Sequence, residues 1–476
     1  MDEDLPKKLA EFNGKGYVIA PAGYGKTHLI ALAVKASPHR QLILTHTYAG
    51  ANAIRKKMQS LAVPASTYQI DTIASWALRL CLSFPTTSQW KTEYPSGKEW
   101  GKLYAACTAL LDRPFAKRFI RCSYSGIYVD EYQDCSTQQH TLVDALTKLL
   151  PCRLLGDPMQ AIFDFADQPV DWEQHIYPHY ELLGQLKTPW RWHLAGAPEL
   201  GRWLDDVSKR LRAGEKISLA APLPKGVQHV TVDLTDFTNP ARLNFFYTFL
   251  DHEDAVIAIH SGNQKSKNKT HKLAQSLAGK FSSIEEVEGK DLFSFIKKLE
   301  AAGTVKQRLC LVIDFTKKCC NAVDGILSAA TKRGEHAKAT QATKYPTLLE
   351  AANRYLADAS STNLACFLTA IQGNPETATY RRDLLNRLMH VLRIHEENKS
   401  LSLLESANRY QRNFRHSGRP IRHNKLIGTT LLVKGLEYHH AIILEAESMS
   451  PKELYVALTR GAKTITIVSL ANTIPA

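Results

Sequence analysis

The segment from Gly14 to Leu29, GKGYVIAPAGYGKTHL, constrains the fold more than any other part of the chain. Gly16 to Ala20 read as a short apolar strand, the glycines that follow as a turn, and the residues from about Lys26 as a helix. With Ala20 in the first slot, Pro21 to Tyr24 as spacer and Gly25-Lys26-Thr27 closing it, the turn fits a phosphate-loop pattern. Gly23 and Gly25 allow backbone N–H groups to turn inward onto phosphate oxygens, and the helix N-terminus adds partial positive charge. Ala22, Gly23, Tyr24 and Gly25 are therefore candidate cradle residues. Lys26 would reach the terminal phosphates, and the Thr27 hydroxyl would ligate Mg²⁺. The plain alternative is a strand–turn–helix whose glycines serve only the turn.

Gly126 to Asp134, GIYVDEYQD, is an apolar strand ending in the paired carboxylates Asp130 and Glu131. A nucleotide hydrolase needs such a pair, one carboxylate for the Mg²⁺ shell and one to activate water. Cys152 to Asp167, CRLLGDPMQAIFDFAD, is a second strand with Gln160 on its loop, where a Gln can sense a γ-phosphate. Phe163 and Phe165 alternate with polar residues beyond it and suit base stacking; core packing is the competing reading. A further strand is expected at Gln41 to Thr47, with helices at about Ala49 to Leu61 and Asp71 to Leu82. This alternation predicts a parallel sheet covered on both faces. His46, Thr47, Tyr48, Thr72 and Ser75 then stand at strand ends, where such sheets bind ligands. Helix capping is an equal reading for Thr72 and Ser75.

At 476 residues the chain can hold roughly two to four domains. Its formal net charge of +14 favours a polyanionic partner, most simply nucleic acid. Nine cysteines, an odd number with no CxxC spacing, argue against a disulfide framework or zinc site and suit a reducing, cytoplasmic setting. MDEDLPKK is too polar for a signal peptide, and no apolar run approaches the ~20 residues of a membrane span.

Taken in order, the motifs resemble those of superfamily 1A helicases of the UvrD/Rep/PcrA type. They are APAGYGKT (20–27), ILTHTYAGA (43–51), DTIASW (71–76), VDEYQD (129–134), GDPMQAIFDF (156–165), TPWRW (188–192), TTLLVKGLEY (429–438) and LYVALTRGA (454–462). The resemblance covers about residues 14–263 and 424–470. It implies an α/β fold of two tandem RecA-like phosphate-loop lobes with reduced, mostly helical insertions. Lobe 1 would span 1–83 and 126–188, a reduced insertion 84–125, lobe 2 189–289 and 416–476, and a helical insertion 290–415.

The resemblance also implies roles. Lys26 and Thr27 would bind phosphate and Mg²⁺, Asp130 would hold Mg²⁺, and Glu131 would activate water. Gln160 would contact the γ-phosphate, and Arg191 and Arg460 would act as arginine fingers. Trp190 would stack on adenine, and Gly435 and Glu437 would border the nucleotide, Glu437 at the sugar. DNA contacts would come from His46, Thr47, Tyr48, Thr72, Ser75, Phe163 and Phe165. The chain departs from the pattern in having no Gln in residues 1–40, acidic residues around Phe165, and Leu431 where a His is frequent.

Elsewhere, residues 84–125 read as a small lobe with one or two helices. Helices are expected at about 194–213 and 240–251, strands at 226–234 and 254–260, and a solvated basic loop over 261–272. The stretch 409–425, with Arg409, Arg412, Arg415, Arg419 and Arg422, suits nucleic-acid backbone or a protein docking face. The expected function is an ATP- and Mg²⁺-dependent translocase or helicase on single-stranded or partly duplex DNA, travelling 3′ to 5′. Its compactness resembles the helicase subunit of the Gabija anti-phage system, which implies an OLD-family nuclease partner. The other reading is a DNA-triggered ATPase sensor that gates a partner with little unwinding.

Overall fold

The computed structural model describes residues 4–95, 97–162, 168–234, 243–285, 289–417 and 423–475. The chain folds as two compact units: Met1–Val227 with Met449–Thr464 and Thr473–Ala476, and Gln228–Ser448 with Ile465–Asn472.

The first unit is built on six strands: β1 Lys15–Ile19, β2 Gln41–Thr45, β3 Tyr68–Thr72, β4 Gly126–Val129, β5 Cys152–Gly156 and β6 Glu181–Gln185. Their order is β3-β2-β4-β5-β1-β6, and every neighbouring pair is parallel. All residues of β2, β4 and β5 are buried, as helices on both faces of a parallel sheet require. The register pairs Ile19 with Gly156, Leu44 with Val129 and Thr45 with Thr72. The carboxyl ends of β1 to β5 therefore line one edge, where open sheets bind ligands.

The helices that follow are α1 Leu5–Glu11, α2 Lys26–Ala36, α3 Tyr48–Ser60 and α4 Ile73–Ser83. The expected helix from Asp71 begins instead at Ile73, because Tyr68–Thr72 is an edge strand. Thr72 caps α4, its side chain accepting from the Ser75 N–H at 3.0 Å, and Thr47 caps α3 by accepting from the Gly50 N–H at 3.0 Å. The described residues of 84–125 hold three helices rather than one or two: α5 Pro85–Ser88, α6 Glu99–Leu111 and α7 Pro114–Ser123. Leu103, Cys107 and Leu110 of α6 share a core with Trp76 and Leu80 of α4. The long helix expected over 194–213 is two, Trp190–Leu194 and Pro198–Arg212, since the residue before a proline disfavours helix. The short strand β7, Ile217–Ser218, pairs antiparallel with the chain's last strand, Thr473–Ile474.

A second six-stranded sheet has the order β10-β11-β9-β12-β13-β8. Its strands are β8 Val227–Val230, β9 Val256–His260, β10 Ser282–Ser283, β11 Lys425–Thr429, β12 Tyr438–Ile443 and β13 Gly461–Val468. The β10–β11, β11–β9 and β9–β12 pairings are parallel. Between β10 and β11 the chain builds a helical array with its own core, including Ile296, Leu309, Phe367 and Leu388. Arg381 is buried there. It donates twice to Glu285 at 2.6 Å and once to Asp291 at 2.5 Å. Arg387 is fully buried, paired with Asp383 at 2.8 Å and stacked 4.1 Å from the Phe414 ring centroid.

The basic stretch expected as a solvated loop folds as a helix, Gln264–Ser276. Asn263 caps it by accepting from the Ser266 N–H at 2.8 Å. Ser266, Thr270, Leu273 and Ala274 are buried along it, and Leu277 is buried at its C-terminal cap. None of the nine cysteines is in a disulfide. Among the described residues no helix is long and apolar enough to cross a membrane. The architecture is of the expected α/β class, two six-stranded sheets with helical additions.

Candidate nucleotide site at the carboxyl edge of the first sheet

β1 runs directly into the glycine turn. The Ala20 N–H donates to Gly156 O at 2.9 Å, carrying the ladder one residue past the strand. Gly23 and Gly25 adopt φ of +77° and +90°, which residues with a Cβ rarely adopt. A Cβ on Gly23 would also lie 2.9 Å from the Trp192 ring. Gly25 is the cap residue of α2, whose N-terminus brings the positive end of its dipole to the loop. The Ala22 N–H points at Asp157 Oδ2 and the Tyr455 hydroxyl, 3.3 Å from each, and the Tyr24 hydroxyl donates to Asp205 at 2.9 Å.

Lys26 opens α2 and is only 8% exposed. Its Nζ lies 2.8 Å from Glu131 Oε2 and 3.9 Å from Asp130 Oδ1. Burial opposes its charge, but the two carboxylates outweigh burial and raise its pKa. Burial pushes Asp130 up to about 7, against the pull of Lys26. Glu131 adopts a left-handed φ of +55°, with its N–H on Asp130 Oδ1 at 3.0 Å. Gln133 holds that turn. Its Nε2 donates to Glu131 Oε2 at 2.5 Å, and its Oε1 accepts from the Asp157 N–H at 3.0 Å.

Asp157 gathers the neighbouring loop. Its side chain accepts from the Met159 N–H at 3.1 Å, Gln160 Nε2 at 3.0 Å and the Tyr455 hydroxyl at 2.8 Å. Arg460, 2% exposed, donates to Gln160 Oε1 at 3.5 Å, to Val456 O at 2.9 Å and to Thr459 Oγ1 at 2.9 Å. The Arg191 guanidinium donates to Thr459 O at 2.6 Å, and its N–H donates to Gly23 O at 2.9 Å. A Cβ on Gly25 would sit 3.4 Å from the Trp190 ring, so that indole packs against the turn.

One locus thus holds Ala22, Gly23, Tyr24, Gly25, Lys26, Asp130, Glu131, Gln160, Trp190, Arg191 and Arg460, with Thr27 half-buried in the first turn of α2. Gly435 and Glu437 lie in the second unit, between the short helix Thr430–Val433 and β12. At the ends of β2 and β3, Tyr48 and Ser75 are joined hydroxyl to hydroxyl, and His46 Nε2 lies 3.4 Å from Cys135 Sγ. Phe163 and Phe165 fall outside the described residues. Gln133, Asp157 and Tyr455 were not singled out from the sequence. All three sit inside quoted motifs, but only the fold shows that they tie three loops together.

The site fits a nucleotide and a divalent cation. It offers a buried ammonium neutralised only by carboxylates, inward N–H groups on a helix N-terminus, and a buried carboxylate with a hydroxyl nearby. Fold and site together define a phosphate-loop α/β protein.

In the middle of the first unit, residues 97–171, which carry Asp130, Glu131, Gln133, Asp157 and Gln160, match the model of the UvrD/REP helicase N-terminal domain. No curated protein matches. Among solved structures, the Arterivirus nonstructural protein 10 helicase in complex with DNA is similar at 17% identity and a TM-score of 0.27, over 54% of this chain and 50% of that one. A crystal structure of the Arterivirus nonstructural protein 10 helicase gives 16% identity and a TM-score of 0.29, over 57% and 53%. The PRRSV helicase gives 13% and 0.26, over 54% and 42%. The chain spans about half the length of those structures.

Proposed function

We propose that the protein is an ATP-dependent translocase that moves 3′ to 5′ on single-stranded DNA and unwinds duplex ahead of it. The observation that carries this reading is the Lys26–Glu131–Asp130 cluster under a glycine turn, with Gln160 bridging Asp157 and Arg460. On binding ATP, Lys26 would exchange its carboxylate partners for phosphate oxygens. Glu131, released from Lys26 and oriented by Gln133, would accept a proton from the attacking water. Asp130 and Thr27 would hold Mg²⁺, which when bound neutralises charge on the phosphates. Arg191 and Arg460 would stabilise charge on the transferring group, Gln160 would report its loss, and Trp190 would stack on the base. Gly435 and Glu437 of the second lobe would border the nucleotide.

DNA contact by His46, Thr47, Tyr48, Thr72, Ser75, Phe163 and Phe165 belongs to this proposal, as do the lobe boundaries read from the sequence. Thr47 and Thr72 already use their side-chain oxygens as helix caps, so hydroxyl contact from either would be shared with that task. A nuclease partner of the OLD family and a role in anti-phage defence extend the proposal. The small extent of residues 84–125, with three helices among the described residues, favours a second reading in which DNA triggers hydrolysis to gate a partner with little unwinding.

Strand displacement on duplexes with a 3′ or a 5′ single-stranded tail separates the readings. ATP-dependent unwinding of the 3′-tailed substrate alone supports the translocase. DNA-stimulated hydrolysis without displacement of either substrate supports the sensor.

A further inference from the structure

Helix α7 carries two faces of different chemistry. Ala116 and Ile120 are its buried stripe and satisfy its packing against the first unit. On another face Phe115 and Phe119, four residues apart, are 44% and 46% exposed. Helical spacing sets Arg118 and Cys122 on that same face, and both are exposed. Phe84 lies half-buried beneath, its ring centroid 5.1 Å from Phe115 and 6.0 Å from Phe119. Those contacts are tilted and edge-on, at 57° and 73°, so they brace the two rings from one side.

The surrounding exposed charge is mostly positive. Lys117 pairs with Asp112 at 3.6 Å, while Arg113, Arg118 and Arg121 are exposed and their guanidinium groups have no hydrogen bond or ion pair among the described residues. Two open aromatic rings interleaved with unpaired arginines are poorly suited to self-association, which would bring the arginines of two copies together. They suit a flexible polyanion with planar rings: bases stack on the phenylalanines while guanidinium groups meet the backbone phosphates.

We propose that this face of α7 is a contact for single-stranded nucleic acid, separate from the residues at the ends of β2 and β3. The proposal rests on the nucleic-acid reading given above but not on translocation or unwinding. Phe115 and Phe119 stack successive bases, and Arg118 and Arg121 hold the phosphates beside them.

The test is fluorescence anisotropy of a labelled oligo-dT strand with the full chain, without nucleotide, at two salt concentrations. Phe115→Ala combined with Phe119→Ala weakens binding about tenfold or more, and Arg118→Ala lowers the salt dependence by about one phosphate contact. DNA-independent ATP hydrolysis, unchanged in these variants, shows that the first unit is intact. Wild-type affinity in the double variant overturns the proposal. A wild-type protein that does not bind oligo-dT overturns it too, and hydrolysis without DNA then shows whether the hydrolase reading survives. A variant that keeps its DNA affinity but loses association with another protein, read by sedimentation, overturns it in favour of a protein-docking face.

Discussion

Lys26 Nζ lies 2.8 Å from Glu131 Oε2, so the residue expected to bind phosphate and the residue expected to activate water are ion-paired to each other. The pair is mostly buried on the lysine side and bordered by Asp130 at 3.9 Å. Phosphate binding would therefore do two things together: it would take over the ammonium and free the carboxylate. The ion pair would then be the rest position of the site.

Lys26→Ala removes the ammonium that lies 2.8 Å from Glu131 and 3.9 Å from Asp130. Hydrolysis is expected to fall by roughly 10²-fold or more, the scale of losing one transition-state charge partner. The stabilisation of the wild type by ATP with Mg²⁺, followed as a rise in Tm, should disappear. A variant that keeps that rise would show that Lys26 does not hold the phosphates.

Gln133 joins the Glu131 carboxylate to the backbone of Asp157. Gln133→Ala leaves both groups short of a partner, and a hydrogen bond to a charged group is worth about 1.5–3 kcal/mol. The expectation is a fall in kcat of about tenfold or more with KM for ATP nearly unchanged, because Gln133 would orient the base without touching the nucleotide. An equal rise in KM and no change in kcat would remove it from that role.

Gly23→Ala places a Cβ in a left-handed conformation and against the Trp192 ring. The conformation alone costs about 1–2 kcal/mol. Nucleotide affinity should drop at least tenfold, measured by titration of a fluorescent ATP analogue, and the melting transition should shift down.

Much of this site is legible before folding, because its chemistry sits in short contiguous motifs and its strands are buried on both faces. β2, β4 and β5 read as apolar runs since neither face meets solvent. β3 escapes notice because Tyr68 and Gln69 of this edge strand are only partly buried, so YQIDT lacks an apolar run. The helix Gln264–Ser276 is hidden for a related reason: Ser266 and Thr270 fill two buried positions that aliphatic residues usually mark. The Tyr455–Asp157 and Arg460–Gln160 contacts join residues about 300 apart in sequence, which local pattern does not reveal.

His271 supplies a pH test in the second unit. Burial lowers its pKa to about 4, and its Nδ1 lies 2.6 Å from Ser283 Oγ. An unfolded histidine titrates near 6.5, so the unfolded chain takes up this proton first as pH falls. The unit should lose stability from about pH 6.5 downward, with the loss reaching on the order of 3 kcal/mol by about pH 4. His271→Asn should flatten the fall in Tm between pH 7 and pH 5. An unaltered slope would assign that fall to other groups.

The central claim is that Glu131 activates water in a site coupled to DNA. Its most direct test is the steady-state rate of ATP hydrolysis by the wild type and by Glu131→Gln, each with and without single-stranded DNA. The account predicts strong stimulation of the wild type by DNA. It also predicts that Glu131→Gln binds ATP but turns over at least 10²-fold more slowly in both conditions. Hydrolysis by Glu131→Gln at the wild-type rate would contradict the assignment of the base, and wild-type hydrolysis indifferent to DNA would contradict the coupling.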